Sequence, residues 1–155
     1  MNLKSDKPDS GDYGSILPER FQSPEDARHL GLQMEGLACE YLKEQGYKIK
    51  CRNFLSRYGE IDVIGYDGDI LAFVEVRYRR RGSLVSPSES IDRQKVRKIK
   101  LAIRDFLSRN EPCVGKCAGI RVDLCSVTGS PANTSAGKPE TQALEFQLIK
   151  GILDF

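Results

Sequence analysis

The stretch that most narrows the folds open to this chain is residues 58 to 78, YGEIDVIGYDGDILAFVEVRY. Two apolar runs, Tyr58 to Tyr66 and Ile70 to Tyr78, flank Asp67-Gly68, a strong short-range signal for a two-residue β-hairpin. With Asp67 and Gly68 as the turn residues, Tyr66 pairs with Asp69, Asp62 lies opposite Phe73, and Glu60 lies opposite Glu75. Directly opposed residues share a face, and side chains alternate with a period of two. Glu60, Asp62, Glu75 and Arg77 then project from one side of the sheet. Asp62 and Glu75 become diagonal neighbours, roughly 7 Å apart at the backbone.

The second strand, LAFVEVRY, is apolar on both sides of its acid and reads as a central strand covered on both faces. A carboxylate buried there without a partner is costly, or is driven to hold its proton. A fold that needed only stability would carry Val or Thr at such a position. A hard divalent cation held by Asp62 and Glu75, Mg²⁺ or Mn²⁺, resolves the conflict. The alternative is a structural network in which Arg77 and nearby arginines neutralise the acids.

The flanking sequence supplies the other layers. Ser23-Pro24-Glu25-Asp26 is a helix start: a capping hydroxyl, a proline at N1 and acids in the first turn. Leu30, Met34, Leu37 and Tyr41 then recur at helical spacing, with Ala38 and Leu42 widening the stripe, and Gly46 closes the helix. Glu35 falls at the rim of that stripe, within reach of the hairpin acids or as an ordinary boundary residue. A short strand is expected around Tyr47 to Arg52. Ser86-Pro87-Ser88-Glu89 forms a capping box, opening a helix to about Ser108 that buries Val96, Ile99, Ile103 and Phe106. Strands follow at Gly119 to Val127 and Ala143 to Lys150, separated by a polar, mobile loop over 128–142. The order predicts an α/β domain over 23–155: a mixed sheet flanked by helices, an αβββαβ core plus a C-terminal strand, with a parallel strand–helix–strand crossover. Residues 1 to 22 read as a disordered extension.

Composition removes several chemistries. The single histidine, His29, excludes histidine-rich metal sites and most nucleophile–histidine schemes. The five cysteines are scattered, and Cys113 and Cys117 lack the spacing of a zinc site, so they read as free thiols of a cytoplasmic protein. No apolar run is long enough for a membrane span or shaped as a secretory signal. Carboxylates, Lys, Arg and a metal are what remains.

The net charge of +2 is uninformative, but its distribution is uneven. Arg77, Arg79, Arg80, Arg81, Arg93, Lys95, Arg97, Lys98, Lys100 and Arg104 crowd residues 77 to 104 against only Glu89 and Asp92. Such an excess attracts a polyanion, or forms a solvated helix face. Arg93, Arg97, Lys100 and Arg104 make one solvent-facing ridge suited to phosphates. Lys95 sits apart, at the margin of the apolar stripe, with its amine directed toward the sheet. Tyr58 and Tyr78 are candidates for base stacking or for plain packing.

Met34-Glu35, GEIDVI at 59–64, FVEVR at 73–77, Lys95 and Arg121-Val122-Asp123 together resemble the YraN-type family of bacterial proteins over about residues 30 to 155. That family looks like a branch of the PD-(D/E)xK restriction-endonuclease-like superfamily and is similar to archaeal Holliday-junction resolvases. The resemblance implies a restriction-endonuclease-like fold and a metal-dependent nuclease site with Asp62, Glu75 and Glu35 in the acidic roles. Two positions depart from the pattern. Met34 stands where the family usually has Gly, and Arg77 stands where it has Lys. A lysine there can orient or help deprotonate water, whereas arginine stays charged and can only orient and stabilise.

The expected function is therefore Mg²⁺- or Mn²⁺-dependent phosphodiester hydrolysis, with Glu35, Asp62, Glu75, Arg77 and Lys95 at the chemistry. Arg79, Arg80, Arg81, Arg93, Arg97 and Lys100 would hold nucleic acid. The resemblance points to structured or branched DNA. The alternatives are a non-catalytic nucleic-acid-binding module of the same fold and a protein-interaction scaffold; a homodimer stays open.

Overall fold

The computed structural model describes residues 23–79, 93–110, 115–129, 132–133, 139–140 and 144–153. Helix α1 (Pro24–Glu44) precedes strands β1 (Lys48–Ser56), β2 (Gly59–Asp67) and β3 (Ile70–Arg79). Helix α2 (Arg93–Arg109) leads to β4 (Gly119–Gly129), a short ribbon of β5 (Ala132–Asn133) and β6 (Pro139–Glu140), and β7 (Leu144–Leu153). The main sheet has the order β1-β2-β3-β4-β7; β3 and β4 run parallel, and the other neighbours run antiparallel. This is the mixed sheet and parallel crossover expected, with β3 at its centre. The expected first strand is extended to Ser56, and β5 and β6 pair within the segment expected as a loop.

Helix α1 begins and ends as its sequence dictates. The Ser23 hydroxyl accepts from the Asp26 amide, and Asp26 returns a carboxylate to the Ser23 amide, so two orphan donors of the first turn are satisfied. At the far end Gly46 takes φ 92°. Its amide donates to the Lys43 carbonyl and that of Tyr47 donates to Leu42, the paired bonds of a Schellman stop. The Ser86 capping box, like Arg80 and Arg81, lies outside the described residues.

The two helices cover opposite faces. Met34, Ala38 and Leu42 of α1 bury against Val63, Ala72, Val74, Cys125 and Val127. Ile99, Ala102, Ile103 and Phe106 of α2 bury against Ile61, Ile64, Leu71, Phe73 and Val122. Phe106 meets Phe73 and Phe54 edge-on, with centroids 5.5 and 5.1 Å away, a favourable arrangement of ring quadrupoles. Val96, expected in this core, is half-buried beside the basic ridge. The four cysteines among the described residues, Cys39, Cys51, Cys117 and Cys125, are free thiols.

The hairpin register differs from expectation by two residues. Asp67 pairs with Ile70, Tyr66 with Leu71 and Ile64 with Phe73, so the turn residues are Gly68 and Asp69. Of these only Gly68 has a positive φ, 59°, as in a type II′ turn. The cause is remote in sequence. Asp67 stays in the strand because its carboxylate is held by Arg121 and, at 2.7 Å, by Lys150. A shift of two preserves which residues share a face. Continued by one step, the register sets Asp62 opposite Glu75 rather than diagonal to it.

Beside this turn lies a buried ionic network on the α1 face. Asp123, fully buried, accepts from the Tyr47 hydroxyl at 2.8 Å, from Arg121 Nε at 2.7 Å and from the Gly151 amide at 2.9 Å. Burial, and then Asp123, push the Tyr47 hydroxyl well above its ordinary range.

Candidate functional site

Between β2 and β3 the backbone ladder ends at Val63↔Val74, and a side chain takes over. Asp62 Oδ2 accepts a 2.7 Å hydrogen bond from the Val76 amide. That bond satisfies a donor the ladder leaves exposed and fixes the carboxylate against β3. Glu75, 8% exposed, is held by Lys95 of α2 and by Arg77, whose Nε lies 3.3 Å from Glu75 Oε1. The expectation that Lys95 turns back toward the sheet is thus met.

Asp62 and Glu75 line a cavity of about 380 Å³ with Gly59, Glu60, Gln94, Lys95, Lys98 and Ile99. Gln94 and Lys98 are site residues that the sequence reading did not single out. Their signal was present, because positions 94, 95 and 98 fall on one helical face.

Electrostatics mark the pair as incomplete. Burial first, and then the charge of Glu75, push the Asp62 carboxyl up to about 7, opposed by the Val76 amide; Glu35 adds to the rise and Lys95 works against it. Two carboxylates on one wall repel, and a cation between them would remove the conflict. Arg77 Nε is in addition a buried donor without a hydrogen-bond acceptor among the described residues. It is ion-paired with Glu75 at 3.3 Å without an aligned hydrogen bond, which leaves donor capacity for an incoming anionic group. The oxygen donors present suit a hard divalent cation.

Asp62 also implies a pH dependence. A carboxyl whose folded pKa is raised costs stability as it ionises, so the cost is absent near pH 4 and complete above about 7. The full gap from an unfolded value near 3.9 is worth about 4 kcal/mol; solvent reaching the half-buried group reduces this to about 2 kcal/mol. Asp62→Asn is therefore expected to gain stability over the wild type as pH rises from 4 to 7 without metal, measured by urea unfolding. Equal pH profiles for the two proteins would remove the strain from Asp62.

The other expected residues divide. Glu35 does not line the cavity; its Oε2 accepts from Asn53 Nδ2 at 2.6 Å, while its charge still reaches Asp62. Among the described residues no three acidic, histidine or cysteine side chains form a ready metal cluster. Arg79 ends β3, with a buried, unsatisfied Nε. Arg93, Arg97, Lys100 and Arg104 line a separate groove of about 430 Å³ with Val96 and Leu101. The ridge thus exists as a surface distinct from the carboxylate cavity. Tyr78 is a packing residue, its hydroxyl bonded to the Gly129 carbonyl, whereas Tyr58, which does not line the cavity, has the Arg57 guanidinium 4.7 Å above its ring. No helix among the described residues is long and apolar enough to cross a membrane.

A central acidic pair in a five-stranded mixed sheet, countered by a lysine from the crossover helix, defines an α/β protein with a charged cavity against its central strand. The chain belongs to the uncharacterised protein family UPF0102, whose profile matches residues 34–127. It is 39% identical over 113 residues to a UPF0102 protein of Chromohalobacter salexigens, covering 73% of this chain and 89% of that one. A UPF0102 protein of Dichelobacter nodosus is 47% identical over 94 residues (61% and 72% of the two chains), and one of Carboxydothermus hydrogenoformans is 43% identical over 83 (54% and 70%). The family span includes Glu35, Asn53, Asp62, Glu75, Arg77, Lys95 and Asp123.

Proposed function

We propose that this protein is a metal-dependent phosphodiesterase acting on nucleic acid, with structured or branched DNA as its substrate. The observation that carries the reading is the opposed Asp62–Glu75 pair, strained by its own charge and faced by Lys95 and Arg77. Asp62 and Glu75 would hold Mg²⁺ or Mn²⁺, which when bound supplies charge neutralisation at a phosphate and a water of lowered pKa. The Arg77 guanidinium stabilises negative charge developing on the phosphate. Lys95 orients the water, its compact ammonium offering three rotatable donors where Arg77 presents a planar fork. It supplies from a helix the lysine that the strand lacks. Gln94 and Lys98 contact the bound phosphate group from the same helical face. Arg79 and the α2 ridge hold the flanking backbone through contacts blind to base sequence. The preference for branched DNA rests on the likeness to junction resolvases.

The test is cleavage of labelled junction, flap, duplex and single-stranded substrates with Mg²⁺, with Mn²⁺ and with chelator. Products that need the metal and vanish in Asp62→Ala support the reading. A second reading, a binding module without turnover, is favoured by Arg77 standing at the usual lysine position. It predicts no products with any substrate, and binding that weakens steeply with salt while ignoring Mg²⁺.

A further inference from the structure

Asn53 is the one non-glycine residue with a positive φ, 51°, among the described residues, and it sits inside strand β1. The β1–β2 ladder pairs Arg52 with Val63 and Phe54 with Ile61 but skips Asn53 and Asp62, which face each other across the gap. Side-chain alternation fails at the same place: Val63 packs on the α1 side, while Ile61 and Ile64 both pack on the α2 side. A regular strand would send Arg52 and Asn53 to opposite faces. Here both reach α1, Arg52 with a guanidinium nitrogen beside Gly36 and Asn53 through its 2.6 Å bond to Glu35. Asn is the side chain that best tolerates the left-handed region after Gly, and such outliers cluster where geometry serves a site.

We propose that Asn53 is a positioning residue, which holds the Glu35 carboxylate beside Asp62 so that three acids from two strands and a helix serve one cation. The inference rests on the cation site of the preceding section and adds to it the part that brings in Glu35. The Asn53 amide fixes one Glu35 oxygen and leaves the other for a cation-bound water. The left-handed turn of Asn53 at once opens the ladder at Asp62 and aims the amide at α1. One residue thereby couples the placement of two acids.

The experiment is Mn²⁺ binding to the full chain at neutral pH, followed by calorimetry and by the spin-resonance signal of free Mn²⁺. Asn53→Gly keeps the backbone conformation and deletes only the amide, so it separates positioning from folding. Loss of a group that orients a metal ligand lowers affinity about tenfold or more. Asn53→Gly and Glu35→Gln are each expected to show that loss, and the double variant no further loss, because both remove the same contact. A loss that multiplies in the double variant would overturn the inference, as would Asn53→Gly binding Mn²⁺ like the wild type while Glu75→Ala does not. Glu75→Ala binding Mn²⁺ like the wild type would instead overturn the cation site itself, and the inference with it.

Discussion

Glu75→Gln is expected to lower metal-dependent cleavage by about a thousandfold, on the order of 4 kcal/mol of transition-state stabilisation. The substitution keeps the shape and an oxygen that can accept from Lys95, but it removes the charge that holds a cation. Glu75 is 8% exposed on the central strand and shared between Lys95 and Arg77, so losing its charge leaves both cations without the carboxylate that holds them. The amide remains paired, and the fold is therefore expected to survive; matching far-UV spectra would verify this. Single-turnover rates with Mg²⁺ give the comparison. A variant within tenfold of the wild type would place Glu75 outside the chemistry.

Asp123→Ala is expected to cost about 3–4 kcal/mol of folding stability, a large share of the 5–15 kcal/mol typical of a domain. The wild-type carboxylate is fully buried and joins four elements of the fold: Tyr47 after α1, Arg121 of its own strand, Gly151 of β7 and, through Arg121, Asp67 at the hairpin turn. Its removal leaves the Gly151 amide without that acceptor and Arg121 with one carboxylate instead of two. Tyr47→Phe loses one neutral donor and should cost about 1 kcal/mol. Urea unfolding measures both. A loss below 1 kcal/mol for Asp123→Ala would mean that the network relaxes around the gap.

What the sequence made legible was whatever short-range chemistry decides. Helix α1 was readable because Ser23, Pro24, Asp26 and Gly46 are terminal signals acting within a few residues. The shared face of Asp62 and Glu75 was readable because the strand period is two and survives a slip of two. Lys95 could be separated from the ridge because one helical turn sorts residues by angle. The turn itself was not readable, since Asp67-Gly68 and Gly68-Asp69 both suit a tight hairpin. Arg121 and Lys150, far along the chain, decide between them. Asn53 escaped for a related reason: an asparagine amid KIKCRNFL carries no mark of a left-handed residue, and its partner Glu35 belongs to another element. Glu35 lies on α1 outside the cavity lining, and its tie to Asn53 required the fold.

The strand order also divides the site by how far apart in the chain its parts lie. Strands β1, β2 and β3 form a meander joined by two-residue turns, and this local unit already contains Asn53, Asp62 and Glu75. Strand β4 is different, because pairing Ile70 with Gly119 must first close the long crossover that carries α2. Loop closure of that kind is entropically opposed and tends to come late. The acids thus belong to the low-contact-order half of the molecule, and the ammonium of Lys95 to the high-contact-order half. Completing the topology gives Glu75 its second cation: the meander itself supplies Arg77, and Lys95 arrives only when the crossover closes.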